Sequence, residues 1–234
     1  GGDDMALRFD LTVSLARVVA AYSDLPRPFK RYQIGRVFRG ERAQAGRFRE
    51  FTQLDFDIIG SRSLFADVEV IQVMYEVMQA LGINNFLISF NTRKILNGMA
   101  ETVGAKTKAR EMFRIIDKVE KIGLDGVMAE LRRKPDNEWD SSAVTLSTKE
   151  TDKVLAFLNI RGSDTNSTLA RLEDFFATER GAGQEGVKEL GGMVKKLRLL
   201  GIPERNWQID LSVARGLDYY TGPVFETKLT DYPE

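Results

Sequence analysis

Residues 51–59 alternate in character: Thr52, Leu54, Phe56 and Ile58 fall on one side of an extended chain, Phe51, Gln53, Asp55 and Asp57 on the other. That period of two is a β-strand's. Residues 29–39 form a β-rich run before it, and the charged stretch between reads as the loop of a hairpin. The apolar face is expected to pack and the polar face to present chemistry. Upstream, Val13, Leu15, Ala16, Val18, Val19 and Tyr22 suit a helix whose first turn Thr12 caps, and a turn containing Pro26 and Pro28 follows. Downstream, Leu64, Val68, Ile71, Tyr75, Met78 and Leu81 recur at spacings of three and four, the stripe of an amphipathic helix. Ser61 or Ser63 would cap that helix and Gly82 end it. Residues 86–90 read as a buried strand.

From 92 to 205 the strand pattern almost vanishes and helical stripes succeed one another, around Met112 to Val119, Leu169 to Phe176, and Val187 to Leu200. Residues 134–142 are polar and turn-like. Alternation resumes at 207–213, where Trp207, Ile209, Leu211 and Val213 suit a half-buried antiparallel strand. A sheet interrupted by helices and then resumed predicts an α+β fold, an antiparallel sheet flanked by helices. Its core would be residues 1–91 and 206–234, with 92–205 as an inserted helical domain.

Composition narrows the chemistry. The 234 residues hold no Cys and no His, which removes disulfides, thiol and imidazole catalysis and conventional zinc sites. Lys plus Arg equals Asp plus Glu, 34 each, so nucleic-acid binding must come from local patches rather than a global field. No apolar run reaches the length of a membrane span, and Gly1-Gly2-Asp3-Asp4 lacks the plan of a signal peptide. An intracellular protein is expected, and the abrupt start and finish read as a piece of something longer. Catalysis is left to carboxylates, guanidiniums, amides and hydroxyls, and the hairpin loop concentrates them: Arg39, Arg42, Arg47 and Arg49 interleave with Glu41 and Glu50. Such a loop can grip a polyanion by bidentate contacts.

Arg39, Glu41 and Phe51 resemble motif 2 of the class II aminoacyl-tRNA synthetases: an Arg at a strand end, a Glu two residues on, a Phe opening the next strand. Arg215-Gly216-Leu217-Asp218-Tyr219-Tyr220, followed closely by Val224-Phe225-Glu226, resembles the histidine-recognition signature of histidyl-tRNA synthetases. Leu7-Arg8-Phe9-Asp10-Leu11-Thr12 resembles that family's substrate loop. All three stand in the family's order, so the chain resembles a fragment of its catalytic domain.

The resemblance implies ATP-dependent activation of histidine to histidyl-adenylate, then transfer to the terminal ribose of tRNA(His), by a cytoplasmic homodimer with no membrane role. ATP would come with Mg2+, and no protein metal site is implied. Arg39 would hold the α-phosphate, Glu41 accept from the adenine amino group, Phe51 stack on the base and Arg47 meet the outer phosphates. Asp10, Thr12, Gln53 and Asp57 would face histidine, Tyr219 and Tyr220 wall its imidazole, and Arg215 reach the α-phosphate opposite Arg39.

Other patterns carry less. Gly181-Ala182-Gly183-Gln184-Glu185-Gly186 matches a dinucleotide fingerprint but follows a helical pattern, so it reads as a turn between helices. Residues 98–107 space their glycines wrongly for a P-loop, and Asn166-Ser167-Thr168 is a glycosylation sequon without meaning in the cytosol. Basic clusters at Lys106, Lys108 and Arg110, at Arg132, Arg133 and Lys134, and at Lys195, Lys196 and Arg198 are solvated helix faces or phosphate contacts for tRNA. Two features depart from the family. Its motif 1 and motif 3 are not found and would lie before Gly1 and after Glu234, so the chain alone is expected to make adenylate weakly or not at all. Thr52 stands where a histidine or an aromatic is usual. The rival reading is a non-catalytic paralogue, a histidine-sensing or regulatory subunit; such proteins tend to lose the residues kept here at Arg39, Glu41, Arg215, Tyr219 and Tyr220.

Overall fold

A computed structural model describes residues 4–178, 181–214 and 220–231. Two compact units divide the chain, residues 1–66 and 67–234.

In the first unit, helix α1 (Thr12–Ala21) precedes strands β1 (Phe29–Phe38) and β2 (Glu50–Ile59). The strands pair antiparallel over their full length, Phe29 opposite Ile59 through Phe38 opposite Glu50. Thr12 does not cap α1. It is the first helical residue, and the Asp10 carboxylate accepts the backbone N–H groups of Thr12 and Val13 at 3.0 and 3.2 Å. A carboxylate there satisfies two orphan donors and sits at the positive end of the helix dipole.

The cover of the hairpin's two faces differs from that expected, although the polar face still carries the candidate site residues. Leu54 is half exposed, and its neighbours Tyr32 and Ile34 are more exposed still. The polar face is the one approached by the preceding chain. A Cβ on Gly35 would lie 3.2 Å from both the Leu11 side chain and the Arg8 guanidinium, so a larger residue there would make both side chains give way by a few tenths of an ångström.

In the second unit, α2 (Leu64–Ala80), whose first turn holds the unit boundary, leads to β3 (Phe86–Thr92). The Ser63 hydroxyl accepts the Phe65 N–H at 3.2 Å, and Gly82, with φ of 74°, closes the helix. Val68 and Ile71 of the sequence stripe are fully buried; Leu81 is exposed. Strand β3 is central. It pairs parallel with β4 (Trp207–Ile209) and antiparallel with β5 (Pro223–Leu229). The strand expected over 207–213 is thus shorter, and parallel rather than antiparallel. Asp210 ends it: its Oδ1 accepts the Ser212 N–H at 3.0 Å and the Ser212 hydroxyl at 2.6 Å, folding the chain into a turn.

Every regular element described between β3 and β4 is helical: α3 (Arg93–Thr102), α4 (Ala109–Ile116), α5 (Val119–Arg132), α6 (Thr148–Leu158), α7 (Thr165–Phe175) and α8 (Ala182–Leu199), with two 3-10 turns. Local chemistry starts several of them. The Thr92 hydroxyl accepts the Lys94 N–H at the start of α3, and Ser147 with Glu150 forms a reciprocal cap on α6. Phe157, Phe175 and Phe176 cluster where α6 meets the end of α7, Phe176 edge to face with both of the others and Phe157 tilted against Phe175. Arg133 anchors the polar stretch after α5 through Asp140, at 2.6 Å, and Asp136.

The glycines that imitate a nucleotide fingerprint are packing residues. A Cβ on Gly98 of α3 would lie 2.4 Å from the backbone of Gly183, and one on Gly186 would meet the Ile95 backbone at 2.7 Å. Two helices meet there backbone to backbone.

The substitution Gly98→Ala is therefore expected to destabilise the fold by about 1–3 kcal/mol, the cost of overpacking a close contact. Gly191→Ala on α8, where a Cβ would meet nothing within 4 Å, should be neutral or stabilise by up to about 1 kcal/mol. Denaturant midpoints of the two variants check this, and equal midpoints would rule out the close crossing.

Candidate active site

The polar face of the hairpin assembles from odd-numbered positions of both strands, because successive side chains alternate and the register sets Gly35 against Gln53, Gln33 against Asp55 and Arg31 against Asp57. Arg39, one residue past β1, is fixed from three directions. Its Nη2 donates to Gln53 Oε1 at 3.0 Å, and its guanidinium lies over the rings of Phe51 and Phe9, 5.0 and 4.7 Å from their centroids. Its Nε donates a long 3.4 Å bond to the Phe9 carbonyl. Gln53 in turn donates to Asp55 at 2.8 Å.

Deeper along the same face, Arg31 Nε meets Asp57 Oδ2 at 2.9 Å, off the line of a hydrogen bond, so the contact is coulombic. Arg31 also donates to Gln33 at 2.6 Å and reaches the Leu11 carbonyl. Burial pushes the Asp57 carboxyl above the ordinary range; Arg31 opposes that rise and Asp55 adds to it.

The loop between the strands is open. Arg39 N–H donates to the Arg49 carbonyl at 2.8 Å, closing the hairpin's neck. Gln44 and Arg47 exchange backbone hydrogen bonds around Gly46, making the tip. Glu41 and Arg47 pair at 3.3 Å, both well exposed. Glu50 pairs with Arg36.

Thus Arg39, Phe51 and Gln53 come together, as do Glu41 with Arg47, while Asp10 is engaged at the start of α1. Thr12 offers its backbone N–H to Asp10. Tyr220, half exposed, precedes β5 in the second unit. Arg215 and Tyr219 lie outside the described residues. Sequence reasoning missed Phe9, Arg31, Gln33 and Asp55. The register finds the three in the hairpin, since positions whose numbers sum to 88 pair across it and Arg31 stands opposite Asp57; Phe9 lies before the hairpin and follows from no such rule.

Several basic residues of the helical run have structural partners. Lys106 pairs with Glu101 at 2.9 Å, Lys108 donates to the Ser141 carbonyl at 2.9 Å, and Arg198 binds Glu204 and Asn166 at 2.6 and 2.9 Å. Among the described residues no group of three or more carboxylates converges as a metal site.

A family model described as histidyl-tRNA synthetase matches residues 1–234, the whole chain. The chain belongs to the histidyl-tRNA synthetase family. A histidine–tRNA ligase from Clostridium tetani is 44% identical over 237 residues, covering 100% of this chain and 51% of the relative. The chain thus spans about half the length of the curated relatives it matches. A crystal structure of histidyl-tRNA synthetase from Nostoc sp. PCC 7120 superposes with a TM-score of 0.86 at 36% identity, over 97% of this chain and 50% of that one. A Bacillus halodurans protein named as an ATP phosphoribosyltransferase regulatory subunit/histidyl-tRNA synthetase follows at 0.77 and 25%, over 96% and 54%. The α+β architecture of this family is therefore the fold of this chain.

Asp57 should titrate above an ordinary aspartate. Replacing Arg31 by Gln removes the cation that lowers its pKa and is expected to raise the midpoint further, while Asp55→Asn should lower it. A carboxyl whose folded pKa exceeds its unfolded value contributes stability below the unfolded value, near pH 4, and loses it as pH rises through the folded one. Carboxyl 13C titration by NMR reads these midpoints; a fall in Arg31→Gln would contradict the pairing.

Proposed function

We propose that this chain carries the histidine- and ATP-handling part of a histidine–tRNA ligase. The observation that supports it most is Arg39, held at the neck of a hairpin beside Phe51 and Gln53 in a chain that matches the histidyl-tRNA synthetase family end to end. In the first step a carboxylate oxygen of histidine attacks the α-phosphorus of ATP, presented with Mg2+ as one substrate. The bond to the bridging oxygen breaks, pyrophosphate leaves and a histidyl-adenylate anhydride forms. A ribose hydroxyl of tRNA(His) then attacks the carbonyl carbon, giving up its proton, and AMP leaves.

Arg39 would neutralise charge growing on the α-phosphate, a preorganised stabilisation that gains strength as the transition state forms. Arg215 would approach the same phosphate. Phe51 would stack on the adenine, Glu41 accept from its amino group and Arg47 meet the outer phosphates. The last two now pair with each other, and an exposed ion pair is worth only about 0–1 kcal/mol, so ATP can replace it at little cost. Asp10, Thr12, Gln53 and Asp57 would receive the α-ammonium and imidazole, with Tyr219 and Tyr220 as walls.

The division expected from the sequence is part of this reading: residues 1–91 and 206–234 as a class II core, 92–205 as a helical insertion. The pairing of β3 with β4 and β5 across the helices supports it within the second unit. tRNA(His) and a second copy are the macromolecular partners, in the cytoplasm. Among the described residues no helix is long and apolar enough to cross a membrane. The Bacillus halodurans likeness keeps a histidine-sensing regulatory subunit as the second reading.

In the longer protein, Arg39→Ala is expected to lower the turnover of histidine-dependent pyrophosphate exchange about 10²–10³-fold, and residues 1–234 alone should exchange weakly or not at all. Calorimetry should find both histidine and ATP bound by the longer protein. Histidine binding without ATP would replace the ligase with the regulator, and an undiminished Arg39→Ala would remove that residue from the chemistry.

A further inference from the structure

We infer that Phe9 is a positioning residue for Arg39, the second half of an aromatic bracket that fixes the guanidinium plane. The inference rests on the ligase reading above for its functional consequence, but its geometry stands apart from it. The guanidinium carbon lies 4.7 Å from the Phe9 centroid and 5.0 Å from that of Phe51, and the Phe9 carbonyl accepts from Arg39 Nε at 3.4 Å. A cation between two ring faces gains from the negative quadrupole of each.

Phe9 can do this because the strap that carries it is pinned. The Phe38 N–H donates to the Arg8 carbonyl at 2.9 Å, and Arg8 Nε donates to the Arg36 carbonyl at 2.6 Å. Gly35 leaves room for the Arg8 side chain to lie across the strand. Phe9 is 58% exposed, so it adds little to the core, and its ring is set against the Arg39 guanidinium.

The two rings have different duties. Phe51 is the one expected to take the adenine, and Arg39 cannot rest on a ring face that a purine occupies. Phe9 then remains, with its carbonyl and Gln53, to hold the guanidinium against the phosphate. Loss of the Phe9 ring should therefore cost turnover with ATP bound, more than it costs histidine binding.

The test uses the longer protein with Phe9→Leu and Phe9→Tyr. With selectively labelled arginine, the Arg39 δ-methylene proton resonances should sit upfield from ring currents, move downfield in Phe9→Leu and stay in Phe9→Tyr. Pyrophosphate exchange should lose about three- to thirty-fold in kcat in Phe9→Leu, the span of one lost cation–π contact, with the KM for histidine within two-fold and the unfolding midpoint unchanged. Phe9→Tyr should keep wild-type kcat. An unshifted Arg39 resonance in Phe9→Leu, a kcat within two-fold of wild type, or an equal loss in both variants would overturn the inference. If the wild-type protein shows no histidine-dependent exchange, the ligase reading fails, and the resonance shift alone decides whether Phe9 positions Arg39.

Discussion

The register between β1 and β2 is the constraint on which the candidate site depends. Because side chains alternate along a strand, a slip of β2 by one residue would turn Gln53, Asp55 and Asp57 to the face opposite Arg31 and Gln33 and leave Arg39 without Gln53 or Phe51. Two features hold the register. At one end the Arg39 to Arg49 backbone bond and the four-residue tip at Gln44–Arg47 set the loop length. Along the strands, Arg31 against Asp57 is a charge pair that a slipped register would break, leaving a half-buried guanidinium and carboxylate unpaired.

The second unit is governed by a different requirement, a close approach between backbones. A parallel partner for β3 needs a crossover, and the helices between β3 and β4 supply it. Helices α3 and α8 meet where Gly98 faces Gly183 and Ile95 faces Gly186. Charge secures the same junction: Glu189 of α8 accepts from Lys94 at 2.8 Å and from the Thr92 hydroxyl, where β3 becomes α3. Burial and the nearby Glu189 raise the pKa of Asp67 in α2, so three elements share one electrostatic environment. The fingerprint-like glycine spacing answers to this junction.

The sequence carried the elements well where one periodicity ran without competition. The alternation at 51–59 and the stripe ending at Gly82 translate directly into β2 and α2. What it could not carry was direction and cover. Alternation at 207–213 does not say whether a neighbour runs parallel, and the Asp210 turn cuts the strand after Ile209. A period of two shows that the hairpin has two faces but not which one the preceding chain crosses; that is set by long-range contacts, the Phe38 N–H and Arg36 carbonyl to Arg8 and the room left at Gly35, which have no pattern of their own. Thr12 looked like a cap because its type suits one, yet the helix starts at Thr12 and Asp10, two residues earlier, accepts its first two N–H groups with a full charge. For the site, Arg39, Phe51 and Gln53 were legible from motif and spacing. Arg31 needed the register, and Phe9 needed the path of the strap. The histidine-signature residues Arg215 and Tyr219 lie outside the described residues, so the roles proposed for them stand on sequence alone.

The interactions around the hairpin differ in strength in a way that suits a site which must hold one shape and still admit a charged substrate. On the floor, Arg31 and Asp57 are largely sheltered, and with Gln33 and the Leu11 carbonyl they tie both strands to the strap. Separating them would leave two partly sheltered charges without their partner, a larger cost than breaking an exposed pair. At the rim, Glu41 with Arg47 is open to solvent, and its loss is worth about 1 kcal/mol at most. Arg39 stands between the two regimes, its Nη2 committed to Gln53 and its faces to two rings. A polyanion arriving at the loop would therefore exchange rim contacts first. The floor pairs, which fix where Arg39 points, would be the last to change.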